Sequence, residues 1–333
     1  MKIRKTAIIG AGGWGTALAA LWSKRGDAIT LWGHNAERTE RIRGARENAD
    51  YLPGVRLPES IHVTSDIADC AGADLIVFVT PSIALRSVAD RLRVLLSNRE
   101  AVLLSCTKGI EHGSGMRMSE ILEQVFPQHT IAVLSGPNLA VEVARDLPTA
   151  TVLGCRIPEC AEELQRHLGS ERFRIYSSDE TVGIELGGAL KNVFAIAAGV
   201  SDGFGLGDNS KAALVTRSLA ELLRLGTAMG GNPRTFYGLS GAGDLIATCF
   251  SQHSRNRRVG EQLGRGTTLD QILSGTHTVA EGIPTAKSAR ECARKLNIET
   301  PIIDQIYSVL YEGKRPDQAL QELLGRDQKA ERL

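Results

Sequence analysis

Four polar side chains stand where a proton, an anion or a developing charge could be handled: Lys191, Lys108, Asp244 and Arg255. Lys191 closes the run Glu185-Leu-Gly-Gly-Ala-Leu-Lys191 and is followed by Asn192. On a helix its neighbours three and four residues away are Gly188, Gly187, Phe194 and Ala195, so its ammonium is expected over small or apolar groups rather than among carboxylates. Such surroundings disfavour the charged form and suit a lysine to general acid and base work near neutral pH. The competing reading is an amphipathic lysine whose stem packs while its head reaches water. Gly187 and Gly188 weigh against that reading. Each costs a helix about 1 kcal/mol relative to alanine, which implies that something approaches the backbone closely there.

Lys108 is the only cation in three short turns that follow apolar runs: Thr80-Pro-Ser82, Cys106-Thr-Lys-Gly109 and Ser135-Gly-Pro-Asn138. In a parallel sheet a ligand lies beyond the carboxyl ends of the strands, where these turns would be. A solvated loop lysine is the plainer alternative. Asp244 ends Ser240-Gly-Ala-Gly-Asp244, which reads as a flexible turn of small residues. Ser254-Arg-Asn256 precedes a helical pattern and carries Arg257 and Arg258 behind it. A guanidinium beside helix amides makes an anion site, while a capped helix start with a solvated basic run explains the same residues. Both stay open. Val279-Ala-Glu281-Gly282 shows an acidic loop and supports no assignment by itself.

The elements around these residues divide the chain. Thr6–Ile9 reads as a strand that breaks at Gly10-Ala-Gly-Gly-Trp-Gly15 and continues as a helix to Lys24. In that strand–turn–helix context Gly10 allows the tight turn, Gly12 lets the backbone approach a pyrophosphate, and Gly15 brings helix and strand together. Further strands are expected at Ala28–Trp32, Leu75–Val79, Ala101–Ser105, Thr130–Leu134, Ala150–Gly154 and Phe173–Tyr176, with a helix over Pro158–Leu168. Ser177-Ser-Asp179 then caps a helix, and strand signals stop. Helices are expected over Thr181–Val200, Ser210–Leu225, Pro233–Leu239, Asn256–Leu263, Pro284–Leu296, Pro301–Tyr311 and Gln318–Leu324. The expected architecture is α/β: a Rossmann-type, doubly wound, mainly parallel sheet over residues 1–179, followed by an all-α domain over 180–333. After the second strand, where an acid would bond a ribose 2′-hydroxyl, stands Gly33-His34-Asn35-Ala36, with Glu37 and Arg38 beyond. NADPH is therefore expected to be accepted and preferred, with His34 or Arg38 meeting its 2′-phosphate.

Composition narrows the partners. In 333 residues, 39 Lys plus Arg nearly balance 38 Asp plus Glu, so no general attraction to nucleic acid or a membrane surface is expected. Cys70, Cys106, Cys155, Cys160, Cys249 and Cys292 form no CxxC pair, which reads as reduced thiols in a cytoplasmic protein with no zinc site. Met1-Lys-Ile-Arg-Lys5 mimics the start of a signal peptide, but the apolar run after it ends at Gly10. No signal peptide or integral membrane segment is expected.

Taken together, Gly10-Ala-Gly-Gly-Trp-Gly-Thr-Ala-Leu-Ala19, Thr107-Lys-Gly109, Ser135-Gly-Pro137, Glu185 to Val193, Gly241-Ala-Gly-Asp-Leu245, Ser254-Arg-Asn256 and Val279-Ala-Glu-Gly282 resemble the bacterial NAD(P)-dependent glycerol-3-phosphate dehydrogenases, in order and over nearly the whole chain. The resemblance implies reversible reduction of dihydroxyacetone phosphate to sn-glycerol 3-phosphate, feeding phospholipid synthesis. It implies Lys191 as proton donor and acceptor; given that role, Lys108 is expected to hold substrate oxygens and Asp244 to orient an ammonium. Lys108, Gly136, Asn138, Lys191, Asp244, Ser254, Arg255 and Asn256 would contact the small phosphorylated three-carbon substrate. Gly10, Gly12, Gly13, Trp14, Gly15, His34, Lys108, Ala140, Arg255, Val279 and Glu281 would line the NADP or NAD site. Two places depart from the family: Gly13 stands where serine is common, and Asn138-Leu139 where Ser-Phe is usual. A 3-hydroxyacid dehydrogenase and a non-catalytic nucleotide sensor are the alternatives. A homodimer is expected from the general frequency of two-fold oligomers.

Overall fold

The computed structural model describes residues 3–275, 279–327 and 330. The chain forms two compact units, Met1–Lys108 with Arg117–Thr181, and Gly109–Met116 with Val182–Leu333. The short segment 109–116 thus packs with the helical part of the chain rather than with the strands on either side of it.

In the first unit the elements run β1 (Lys5–Ile9), α1 (Gly13–Trp22), β2 (Ala28–Trp32), α2 (Ala36–Ala45), β3 (Ile61–Thr64), β4 (Leu75–Phe78), α3 (Leu85–Arg93), β5 (Val102–Ser105), α4 (Met118–Val125), β6 (Ile131–Ser135), α5 (Ala140–Ala144), β7 (Thr149–Cys155), α6 (Pro158–Leu168) and β8 (Phe173–Ser178). The strands form one eight-stranded sheet in the order β3-β2-β1-β4-β5-β6-β7-β8. Every neighbouring pair is parallel except β6 with β7. The order reverses at β1, which lies between β2 and β4, and in this topology a dinucleotide binds at the carboxyl ends of the strands there. Helices cover both faces of such a sheet, so its central strands need apolar residues on both sides. Leu75, Ile76, Val77 and Phe78 of β4 accordingly have no exposed surface. Strand β3, Ile-His-Val-Thr, adds an eighth strand where the sequence pattern is too short to declare itself.

The second unit is helical among its described residues: α7 (Thr181–Gly203), α8 (Gly207–Ala228), α9 (Asp244–Phe250), α10 (Arg255–Gly264), α11 (Leu269–Ser274), α12 (Gly282–Lys295), α13 (Pro301–Tyr311) and α14 (Pro316–Leu324). By length and composition alone α7 could cross a membrane, but 94% of its most apolar window is buried, the setting of a core helix. The helix expected over Pro233–Leu239 does not form. A single 3-10 turn spans Thr235–Tyr237, Gly238 is extended, and a π-type turn over Leu239–Gly243 leads into α9. The small residues of Ser240–Asp244, expected in a flexible loop, therefore begin a helix.

Helix α7 is the axis of this unit, and glycines let α10 lie against it. A Cβ on Gly199 would stand 1.9 Å from the Arg257 carbonyl oxygen, and one on Gly260 the same distance from that of Ile196. One turn further on, Gly203 and Gly264 meet in the same way, with Glu261 O and Val200 O at 2.4 and 2.6 Å.

A buried acid caps one helix from another. Glu221 of α8 accepts the backbone N–H groups of Ile302 (3.0 Å) and Ile303 (2.8 Å) at the start of α13. Burial pushes its carboxyl up to about 7, against those two bonds and Arg224, with Asp304 adding to the rise. A carboxyl raised on folding makes the folded state bind more protons, so its contribution is fully present below the unfolded value and lost as pH rises through about 7. The shift corresponds to about 3 kcal/mol of stability between acid and alkaline pH. Urea melts at several pH values should show Glu221→Gln with a correspondingly shallower decline over that window; an unchanged slope would exclude Glu221 as its source.

Candidate active site

The first unit carries a dinucleotide cradle. Gly10 has φ +129°, and a Cβ there would lie 2.7 Å from the Val79 carbonyl oxygen. A Cβ on Gly15 would stand 1.9 Å from Gly10 O, so helix and turn touch backbone to backbone. A Cβ on Gly12, by contrast, would meet nothing within 4 Å. Helix α1 begins immediately after it with no side-chain cap and no acid in its first turn. Its first-turn amides are thus available to an anion, and the open approach over Gly12 admits one, so these residues fit a dinucleotide pyrophosphate. Gly13 is close to two groups: a Cβ there would be 2.9 Å from Tyr51 O and 3.9 Å from the Ala140 Cβ. Ala140 therefore does lie against the glycine turn. Trp14 tilts towards Phe173, ring centroids 6.5 Å apart, and His34 is exposed just beyond β2.

The strand-end turns gather polar atoms. Lys108 Nζ donates to Gly136 O at 3.0 Å, bridging the ends of β5 and β6. Gly136 takes φ +157°, and Thr151 packs against its backbone, with Cα and Oγ1 each 3.0 Å from where a Cβ would be. Thr151 Oγ1 lies within hydrogen-bonding distance of Ser135 O (2.9 Å) and Asn138 Oδ1 (3.0 Å). Asn138 Nδ2 is buried with no hydrogen-bond partner among the described residues, a donor suited to a ligand oxygen in place of the usual hydroxyl. Ser105 Oγ, Ser135 Oγ and Thr80 Oγ1 are likewise buried without partners among the described residues.

The second unit corrects the expected surroundings of Lys191. Its ammonium does not stand over small and apolar groups alone: it donates to Asp244 Oδ1 at 2.7 Å and Thr248 Oγ1 at 2.5 Å. Lys191 is 7% and Asp244 1% exposed, so this is a buried ion pair. The physical reason is that α9 begins at Asp244 and places Thr248 one turn later on the same face, which also sets Thr248 Oγ1 3.3 Å from Asp244 Oδ1. Thr248 was missed by sequence reasoning. The i,i+4 spacing would have revealed it had Asp244–Phe250 been read as helix. The close approach implied by Gly187 is real: a Cβ there would lie 2.6 Å from Ser240 O, so the backbone leading into α9 rests on α7.

Asn192, the residue after the lysine, is held by Asn256, which ties three helices. Asn256 Nδ2 donates to Asn192 Oδ1 at 2.9 Å, and Gly282 N donates to Asn256 Oδ1 at 2.8 Å. Ser254 caps α10 by accepting from Arg257 N at 3.2 Å and keeps its own proton to donate. The capped-start reading therefore holds for Ser254, while Arg255, at the first position of α10, is exposed. Arg257 is not part of a solvated run. Its Nε lies 2.5 Å from Asp202 Oδ2, which also receives Lys211 Nζ at 2.8 Å, and so joins α10 to α7. Val279 is exposed, and Glu281 directly precedes α12.

Family models for the amino- and carboxyl-terminal parts of NAD-dependent glycerol-3-phosphate dehydrogenase match residues 5–161 and 180–321. A glycerol-3-phosphate dehydrogenase (NAD(P)+) of Syntrophotalea carbinolica is 48% identical over 328 residues, covering 97% of this chain and 98% of that protein. The crystal structure of glycerol-3-phosphate dehydrogenase from Coxiella burnetii superposes with a TM-score of 0.94 at 38% identity, over 97% of this chain and 99% of that one. The yeast enzyme from Saccharomyces cerevisiae gives 0.80 at 25% identity, over 96% and 99%. The chain belongs to the NAD-dependent glycerol-3-phosphate dehydrogenase family.

Proposed function

We propose that the chain reduces dihydroxyacetone phosphate reversibly to sn-glycerol 3-phosphate with NAD(P)H, using Lys191 as the proton donor, and that it supplies glycerophospholipid synthesis in the cytoplasm. The family assignment supports the reaction, and the observation that carries the residue assignment is the buried Lys191–Asp244–Thr248 cluster. A bound nicotinamide supplies the hydride to the ketone carbon; the remaining demands fall on the chain. As that carbon is reduced, its oxygen gains negative charge and then a proton. Lys191 answers both: its ammonium stabilises the charge and then delivers the proton, and in the reverse direction the amine takes it back. Asp244 and Thr248 each accept a hydrogen bond from the ammonium and so restrict its orientation. Lys108, held on Gly136 O, and the Asn138 amide bind substrate oxygens.

Arg255, Ser254 and the first amides of α10 hold the phosphate, with Asn256 anchoring that turn through Asn192 and Gly282. Gly10, Gly12, Gly13, Trp14, Gly15, Ala140 and His34 hold the coenzyme in the first unit, with Lys108, Arg255, Val279 and Glu281 contributing to it. NADPH is the preferred coenzyme, and two copies of the chain assemble as a homodimer; coenzyme titrations and light scattering test these two points.

Loss of NADPH absorbance on adding dihydroxyacetone phosphate tests the reaction, and turnover of hydroxyacids lacking phosphate would contradict it. Arg255→Ala should raise the KM for dihydroxyacetone phosphate about 10- to 100-fold, the loss of a charge-assisted hydrogen bond, while changing that for unphosphorylated dihydroxyacetone little. Normal saturation by the phosphorylated ketone in that variant would remove Arg255 from the phosphate site.

A further inference from the structure

We propose that Asp50 sets the balance between the two coenzymes by competing with an adenosine 2′-phosphate for Arg38 and Arg41. The proposal rests on the reading of the first unit as the coenzyme holder. In this fold the adenosine ribose lies at the end of β2, where the chain offers no acid for a ribose diol and continues into α2. The first two turns of α2 present two guanidinium groups. Arg38 Nε lies 3.1 Å from Asp50 Oδ2, its Nη1 donates to Tyr51 Oη at 2.9 Å, and its Cζ stands 4.8 Å from the Tyr51 ring centroid. Arg41 Nη2 reaches the same Asp50 oxygen at 2.9 Å, while its Nη1 pairs with Glu37 at 3.2 Å.

Asp50 is built into the cradle. The preceding Asn48 donates to Ala11 O at 3.0 Å and lies 2.7 Å from Thr16 Oγ1, while the Tyr51 carbonyl crowds Gly13. The segment 48–51 is thus pinned to the glycine turn and to α1, which holds the Asp50 carboxylate beside the ribose end of β2. Asp50 and Glu37 together balance the two arginines, so a 2′-phosphate gains a guanidinium fork here only by displacing a carboxylate. To use both forks fully that phosphate must displace Asp50. A ribose diol makes no such demand, so Asp50 selectively weakens the phosphorylated coenzyme and leaves room for both.

The test measures Kd for NADP+ and NAD+ with the full chain. Asp50→Asn should shift the Kd ratio about tenfold towards NADP+, through tighter NADP+ binding, and the shift should shrink in about 0.5 M KCl. Asp50→Glu, which keeps the charge, should stay near the parent ratio. Equal changes for both coenzymes, weaker NADP+ binding in Asp50→Asn, or an Asp50→Glu variant that behaves like Asp50→Asn would each overturn the proposal. Failure of the unaltered chain to bind either coenzyme would instead overturn the coenzyme reading beneath it, and this proposal with it.

Discussion

Replacing Lys191 with alanine should lower kcat for dihydroxyacetone phosphate reduction by about a thousandfold or more while NADPH still binds. General acid catalysis alone accounts for about 100- to 10,000-fold, and loss of the ammonium also removes charge stabilisation of the developing oxyanion. Because Lys191 is one side of a buried pair with Asp244, the variant should also be less stable, by about 3–5 kcal/mol when one partner of such a pair is removed. Fold loss and chemical loss must therefore be separated. Coenzyme titration by fluorescence does this, since the glycine cradle and Lys191 belong to different compact units. Lys191→Arg sharpens the test. A guanidinium can keep a charge beside Asp244 but does not give up a proton at working pH. If charge alone mattered, Lys191→Arg would recover most of the turnover; the proton role requires it to stay nearly as slow as the alanine variant. Recovery to within about tenfold of the parent would refute that role.

What could be read from the chain in advance follows the range of the interactions. The glycine turn was legible because its chemistry is local: strand, turn and helix are contiguous, and each glycine has its own geometric reason. The buried strands β4 and β5 declared themselves as apolar runs. Asp244 was expected to orient an ammonium, but Thr248 was not foreseen, because it lies 57 residues from Lys191 and the helix that carries both was disguised by the small residues that begin it. Gly187 gave a correct hint that a backbone approaches α7, but nothing local says it is that of Ser240. Asn256 illustrates the same limit. Its place before a helix suggested an anion contact, yet its amide links Asn192, 64 residues earlier, to the start of α12. Strand β3 was missed for a different reason: four residues give too little alternation to distinguish strand from loop.

Gly260→Ala should destabilise the helical unit by about 3 kcal/mol or more and slow turnover, although residue 260 contacts no proposed ligand. Helix propensity alone points the other way, since alanine in a helix interior is about 1 kcal/mol better than glycine. Contact geometry decides the sign. The added Cβ would sit 1.9 Å from the Ile196 carbonyl oxygen and 2.9 Å from Val200 N, backbone atoms of α7 that cannot swing aside as a flexible side chain would. Relief requires α7 and α10 to separate, and Gly199, against Arg257 O in the same crossing, would lose its contact as they do. The separation reaches the site because α7 carries Lys191 and Asn192 while α10 carries Asn256, joined across the gap at 2.9 Å. The control is Gly44 in α2, where a Cβ would meet nothing within 4 Å. Gly44→Ala should stabilise by about 0.5–1 kcal/mol on propensity alone. Thermal melts of the two variants should therefore move in opposite directions. A Gly260→Ala protein as stable and as active as the parent would show that the α7–α10 crossing does not hold Lys191 and Asn256 in register.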